Sequence, residues 1–189
     1  MSGELLLFLR RWLKEPLKIG AIAPSSRELA AAMARLVPPE STAPVVELGG
    51  GTGVITQALL DAGVSAERLI VVERDEALHS LLTRRFRDVR VLLGDAADLR
   101  ALLEPLGITQ VGAVVSGLPL LAMRESVRDR IIENSFALLA PGAPFIQFTY
   151  GLASPIPRRL GIRGEVKRRI LNNLPPASVW LYYRPLAAA

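Results

Sequence analysis

Nine consecutive residues restrict the fold of this chain more than any others: Val45-Val46-Glu47-Leu48-Gly49-Gly50-Gly51-Thr52-Gly53, an apolar run entering a turn with four glycines. Glycine has no Cβ and tolerates φ > 0, so a turn of this kind lets the backbone approach a ligand closely. The following Val54 to Leu60 reads as the opening of a helix, whose first N–H groups point back into the turn. A dinucleotide-binding fingerprint requires a glycine at the sixth position counted from Gly49, and Val54 stands there. The pattern present is Glu-x-Gly-x-Gly-x-Gly, carried by Glu47, Gly49, Gly51 and Gly53.

Two later segments fall in register with this turn. Arg68 to Glu73 is a short apolar run ending in a carboxylate 24 residues after Gly49. An acid at the tip of a second strand, about 20 residues beyond the turn, is placed to accept hydrogen bonds from a ribose diol. Val89 to Ala96 is a third strand that ends in Gly94-Asp95, an element similar to one that holds adenine through its amino group. The three elements together resemble the nucleoside-binding motifs of the class I S-adenosylmethionine (SAM) methyltransferases. That resemblance implies a Rossmann-like α/β fold with a seven-stranded sheet, one strand antiparallel, and SAM as cofactor.

Composition suits one such domain. The chain has 189 residues and is half apolar, enough for a full core. With no cysteine, a disulfide framework and a Cys-based zinc site are both excluded, and no metal site is expected. The lone histidine, His79, falls in the helix after the second strand and reads as a boundary residue. The mean hydropathy of +0.32 prompts a search for a membrane span. The uncharged stretches 105–123 and 136–157 are interrupted by Gly107, Gly112, Gly117 and Pro119, and by Pro141, Gly142, Pro144, Gly151, Pro155 and Pro157. A lipid-exposed helix does not tolerate that density of breakers. The short Leu5–Leu9 run precedes its basic cluster, the reverse of a signal peptide, so a cytoplasmic chain is expected.

The net charge of +5 is unevenly spread. Residues 1–20 carry four basic against two acidic side chains and residues 151–189 seven against one, whereas the segment between is mildly acidic with twelve against fifteen. Basic ends on an acidic centre point to an anionic surface met by the termini. On a helical wheel Leu5, Leu6, Phe8, Leu9, Trp12 and Leu13 gather on one side, opposite Arg10, Arg11 and Lys14, and Pro16 stops the helix. A basic face opposite Trp and Phe is the composition of an interfacial membrane helix. Residues 1–20 are therefore read as a membrane-binding helix, with Phe8, Arg10, Arg11, Trp12 and Lys14 as its contacts, and 21–189 as one cofactor-binding domain. Ser25-x-x-Glu28 forms a capping box for a helix running to about Leu36, before Pro38 and Pro39.

Substrate class is read from the end of the fourth strand. Val111 to Val115 leads into Ser116-Gly117-Leu118-Pro119-Leu120, at the strand end where open α/β sheets place ligands. RNA adenine dimethyltransferases carry Asn-Leu-Pro-Tyr or a variant here, the amide clamping the base and the ring stacking on it. Gly117 stands in place of the Asn and Leu120 in place of the ring, which disfavours nucleic acid as a partner. Ser116–Leu120, the Gly20–Ser26 loop and Asn173–Trp180 together resemble the small bacterial phospholipid N-methyltransferases, over nearly the whole chain. These convert phosphatidylethanolamine stepwise to phosphatidylcholine. The resemblance implies a SAM site of Glu47, Gly49, Gly51, Gly53, Glu73, Arg74, Asp95, Ala96 and Ser116, and a substrate wall of Gly117, Leu118 and Leu120. Tyr150, at the end of the fifth strand, is the candidate hydroxyl beside the reacting amine, and Arg158 with Arg159 the candidate holder of a lipid phosphate. The expected enzyme is a monomer, peripheral on the inner face of an anionic membrane. An RNA adenine dimethyltransferase and a non-catalytic SAM-fold membrane protein are the alternatives.

Overall fold

The computed structural model describes residues 27–150, 152–171 and 175–185. The candidate membrane contacts Phe8, Arg10, Arg11, Trp12 and Lys14, the boundary at residue 20 and the Ser25 cap lie outside the described residues. Seven strands form one sheet: β1 (Val45–Leu48), β2 (Leu69–Glu73), β3 (Arg90–Leu93), β4 (Ala113–Ser116), β5 (Phe145–Tyr150), β6 (Arg163–Ile170) and β7 (Ala177–Tyr183). Their order is β3-β2-β1-β4-β5-β7-β6, with β7 alone antiparallel to its neighbours. This is the expected Rossmann-like arrangement.

The helices are α1 (Arg27–Ala34), α2 (Val54–Asp61), α3 (Glu76–Arg85), α4 (Leu99–Leu103) and α5 (Glu125–Leu138). Every residue of β1, β2, β4 and β5 is buried, because helices cover both faces of a parallel sheet; the strands are mostly apolar, with Glu47, Glu73, Ser116, Gln147 and Thr149 as buried polar exceptions. Strand alternation splits the core in two. Val45, Val71, Val115 and Ile146 face one layer with Leu29, Met33, Leu59 and Leu82, and Val46, Val72, Val114 and Phe145 face the other with Leu99, Leu103, Ile131 and Ile132.

The strand order reverses at β1, running one way to β2 and β3 and the other way to β4 and β5. At such a switch point the loops leaving the C-terminal ends of adjacent strands diverge and open a crevice. Among the described residues no helix is long and apolar enough to cross a membrane.

Candidate active site

The crevice is a cavity of about 490 Å³, within the range of small-molecule sites. Its floor is the glycine turn. Gly49, Gly51 and Gly53 all have positive φ, at 76°, 54° and 84°. Gly53 is the left-handed residue just before α2, and a Cβ on it would lie 2.5 Å from the Phe86 ring. A Cβ on Gly49 would meet Leu118 at 2.6 Å, whereas one on Gly51 would meet nothing within 4 Å. The turn is thus packed from behind and open toward the cavity.

Glu73, at the tip of β2, fastens this turn to the next. Its Oε2 accepts from Gly51 N–H at 2.9 Å and its Oε1 from Asp75 N–H at 2.9 Å. A carboxylate offers about four lone-pair directions, so both oxygens keep one for a ligand diol. Asp95 caps the short helical turn after β3 through Oδ1 and Ala97 N–H, 2.8 Å apart. Gly49, Gly51, Glu73, Arg74, Asp95, Ala96, Gly117 and Leu118 all line the cavity, so eight of the sequence-derived positions converge on one space.

Glu47 and Ser116 lie beneath the wall instead of on it. Glu47 is wholly buried; its Oε2 accepts from the Thr56 hydroxyl at 2.7 Å, and its Oε1 has no partner among the described residues. Burial pushes its carboxyl up to about 8, opposed by the Thr56 hydroxyl and reinforced by the charge of Glu73. The unfolded chain ionises this group near its ordinary value of 4.5, while the folded protein keeps the proton. The folded state therefore binds more protons between those values, and stability falls as pH rises through that window, by about 1.4 kcal/mol per pH unit for one group. Glu47→Gln is expected to flatten this slope and to raise the melting temperature at pH 8 in a thermal denaturation series. An unchanged slope would assign the pH dependence to other groups. Ser116 is buried too, and its Oγ accepts from Leu118 N–H at 3.3 Å, shaping the loop after β4.

That loop is locked to the glycine turn. Gly117 N–H donates to Leu48 O at 2.8 Å, and Gln147 Nε2 donates to Leu118 O at 2.9 Å. Gln147 is a buried polar residue of β5 that the sequence reading passed over. An uncharged glutamine between Ile146 and Phe148 in an otherwise apolar run is its only sequence signal.

Four further expected site residues, Leu120, Tyr150, Arg158 and Arg159, lie away from the cavity wall. Leu120 does not face the cavity; it is 1 % exposed and packs into the α5-side core, because the loop tightens into a single helical turn over Leu120–Ala122. Met123, Arg124, Val127 and Ile131 supply the wall there, the last two one turn apart on α5. Tyr150 is likewise absent from the wall. It shares a strand face with Ile146 and Phe148, sits edge-on to the Phe148 ring at 5.3 Å, and is buried in the core under α1. Its position along β5 fits the expected role, but strand parity turns it to the opposite side. Neither Arg158 nor Arg159 lines the cavity. The Arg159 guanidinium binds Glu125 and Asp129 on α5, where these hydrogen bonds raise its pKa further. Burial works to raise the Asp129 carboxyl, but the bonds from Arg159 and Arg128 outweigh it and hold the group below its usual range. Arg158 is exposed on the same short turn.

Comparison with known proteins gives the following. No family model matches the chain. The ornithine lipid N-methyltransferase of Singulisphaera acidiphila is 37 % identical over 149 residues, spanning 77 % of this chain and 78 % of that protein. A probable ribosomal RNA small subunit methyltransferase A of Natronomonas pharaonis is 43 % identical, but over 61 residues, 29 % of this chain and 21 % of that protein. Among solved structures, the O-methyltransferase from Bacillus cereus in complex with SAH superposes with a TM-score of 0.68 at 13 % identity, over 98 % of this chain and 92 % of that one. TrmN from Thermus thermophilus gives 0.65 at 18 % identity, over 93 % of this chain and 53 % of that one. At such identities the structural likeness speaks for the fold.

Proposed function

The chain belongs to the family of the ornithine lipid N-methyltransferase and is a SAM-dependent methyltransferase; from that premise we propose that it methylates the primary amine of a membrane aminolipid. The observation that carries this reading is the wall supplied by the loop after β4 and the start of α5. Leu118, Met123 and Val127 make it apolar, and Arg124 is exposed on it with no ion-pair partner among the described residues. An amine beside an anionic group fits such a wall, the arginine holding the anion and the apolar side chains excluding water. A purine base finds no clamp there.

The cavity residues fit the cofactor. Glu73 retains lone pairs for the ribose hydroxyls, Asp95 stands at the adenine end, and the open side of Gly51 admits the chain between them. When bound, SAM would supply an electrophilic sulfonium methyl for the amine nitrogen, with S-adenosylhomocysteine as the leaving thioether. A lysine-like amine of pKa ~10.4 is mostly protonated, and freeing its lone pair near pH 7.5 costs about 4 kcal/mol. Desolvation against Leu118 and Met123 lowers that cost by disfavouring the ammonium form. No donor or acceptor on this wall is tied to one methylation state, so the product is expected to progress at least to the dimethyl form.

The 37 % identical relative favours an ornithine lipid as the headgroup. The resemblance through Ser116–Leu120 favours phosphatidylethanolamine as the second reading. Both pair an amine with an anion, a carboxylate in one case and a phosphate in the other. Labelled methyl transfer offered in parallel to ornithine lipid vesicles, phosphatidylethanolamine vesicles and total RNA distinguishes them. Label in RNA with none in either lipid would overturn the proposal. Arg124→Glu is expected to lower kcat/KM for the preferred lipid by about 10- to 100-fold, as a charge-assisted contact of 1.5–3 kcal/mol is lost, with SAM affinity nearly kept. An unchanged kcat/KM would remove Arg124 from the headgroup site.

A further inference from the structure

Four large hydrophobic side chains are exposed among the described residues: Leu93, Leu152, Val166 and Leu171. The three leucines share one end of the molecule. Leu93 closes β3, Leu152 follows the end of β5, and Leu171 follows the end of β6. The register places these ends together, since Glu73 pairs with Leu93, Tyr150 with Ala177 and Ala177 with Ile170. The cavity lies at this same end of the sheet, lined from the ends of β1 to β4 and from α5. Leu152 is 70 % and Leu171 76 % exposed, levels that a leucine side chain reaches only when no core element covers it. Their strands lie two positions apart in the sheet, which sets the two tips at roughly 10 Å from each other.

Charge separates the two halves of this end. On the β2–β3 half stand the acids Glu73, Asp75, Glu76 and Asp95. On the β5–β6 half the acids are neutralised: Glu28 by Arg168 at 3.7 Å, and Glu125 and Asp129 by Arg159 and Arg128. Arg158, beside Arg159, and Arg169, one residue before the last of β6, are exposed without an ion-pair partner among the described residues. Uncovered leucines flanked by unpaired arginines, next to an open cavity, match the two attractions offered by an anionic bilayer.

Resting on the lipid-methylating reading, we propose that the β5–β6 end of the sheet is a membrane-docking surface, in which Leu152 and Leu171 enter the interface and Arg158 and Arg169 meet anionic headgroups. The cavity then opens onto the bilayer, and an aminolipid reaches the wall at Leu118 and Met123 without its acyl chains leaving the membrane. This surface sets the orientation of the catalytic domain.

The test uses the full chain, vesicles of phosphatidylglycerol with phosphatidylethanolamine or ornithine lipid, and a short-chain aminolipid dispersed as monomers. Leu152→Asp with Leu171→Asp is expected to lower vesicle partitioning about 100-fold, and Arg169→Glu about fivefold or more at low salt. SAM binding by calorimetry should be unchanged in both, which reports an intact fold. Methylation should fall on vesicles but not on the dispersed lipid. If the double leucine variant keeps wild-type partitioning with SAM binding intact, the N-terminal residues carry the attachment and the docking surface is overturned. If wild type partitions through these leucines but transfers methyl to no lipid, the functional reading fails while the docking surface stands.

Discussion

Glu73→Ala is expected to weaken SAM binding by about 100-fold and to lower the melting temperature at the same time. The two effects have separate origins in one carboxylate. Its oxygens tie Gly51 N–H and Asp75 N–H together, so removal leaves two backbone donors of the cavity floor without their acceptor. Each lost bond to a charged acceptor is worth roughly 1.5–3 kcal/mol, and the ribose contacts proposed for the same oxygens are of similar size. Glu73→Gln keeps one acceptor oxygen and should fall between alanine and wild type. Calorimetry and thermal denaturation on the three proteins separate the contributions. SAM affinity unchanged in Glu73→Ala would remove this residue from the site, whatever the melting temperature.

The cofactor half of the cavity was legible in the sequence because it is built from strand ends and backbone. A glycine turn, an acid at the tip of β2 and Gly-Asp after β3 occupy positions fixed by the parallel sheet, and a parallel sheet imposes one register on all three. The substrate half is built from side chains whose facing depends on one residue of phase. Tyr150 and Thr149 differ by a single position, and that step moves a side chain from one core layer to the other. Leu120 was misplaced by a comparable step, since the single helical turn after Pro119 rotates it inward and presents Met123 in its stead. Arg159 reads as a free cation in the sequence because its partners Glu125 and Asp129 lie 34 and 30 residues earlier in the chain and meet it only once α5 is packed. Apolar periodicity predicts elements and their order; it carries no information on which long-range partner takes a charge.

The loop after β4 has no room for the amide that the RNA enzymes carry there. Gly117→Asn, which would restore the amide those enzymes use, is expected to reduce methyl transfer by about 100-fold and to cost about 1–3 kcal/mol of stability. The reason is steric: Gly117 does not have a positive φ, but a Cβ on it would lie 2.9 Å from Gly49 O, 3.3 Å from the Ile55 side chain and 3.5 Å from Leu48 O. Two of those three atoms are backbone, at the end of β1 and the start of the glycine turn, so relief requires moving the cavity floor and not merely a rotamer. Gly117→Ala should show most of the same loss, because the clash begins at Cβ and not at the amide. Gly107→Asn provides the contrast. That glycine has φ 67° with nothing within 4 Å of its Cβ, and asparagine tolerates the left-handed region, so a loss under about 1 kcal/mol is expected. Methyl transfer and thermal denaturation on the three variants decide the matter. A Gly117→Asn protein with wild-type stability and activity would show that the floor can move, and the closeness of Gly49 to Gly117 would then no longer argue against a base-reading amide at this position.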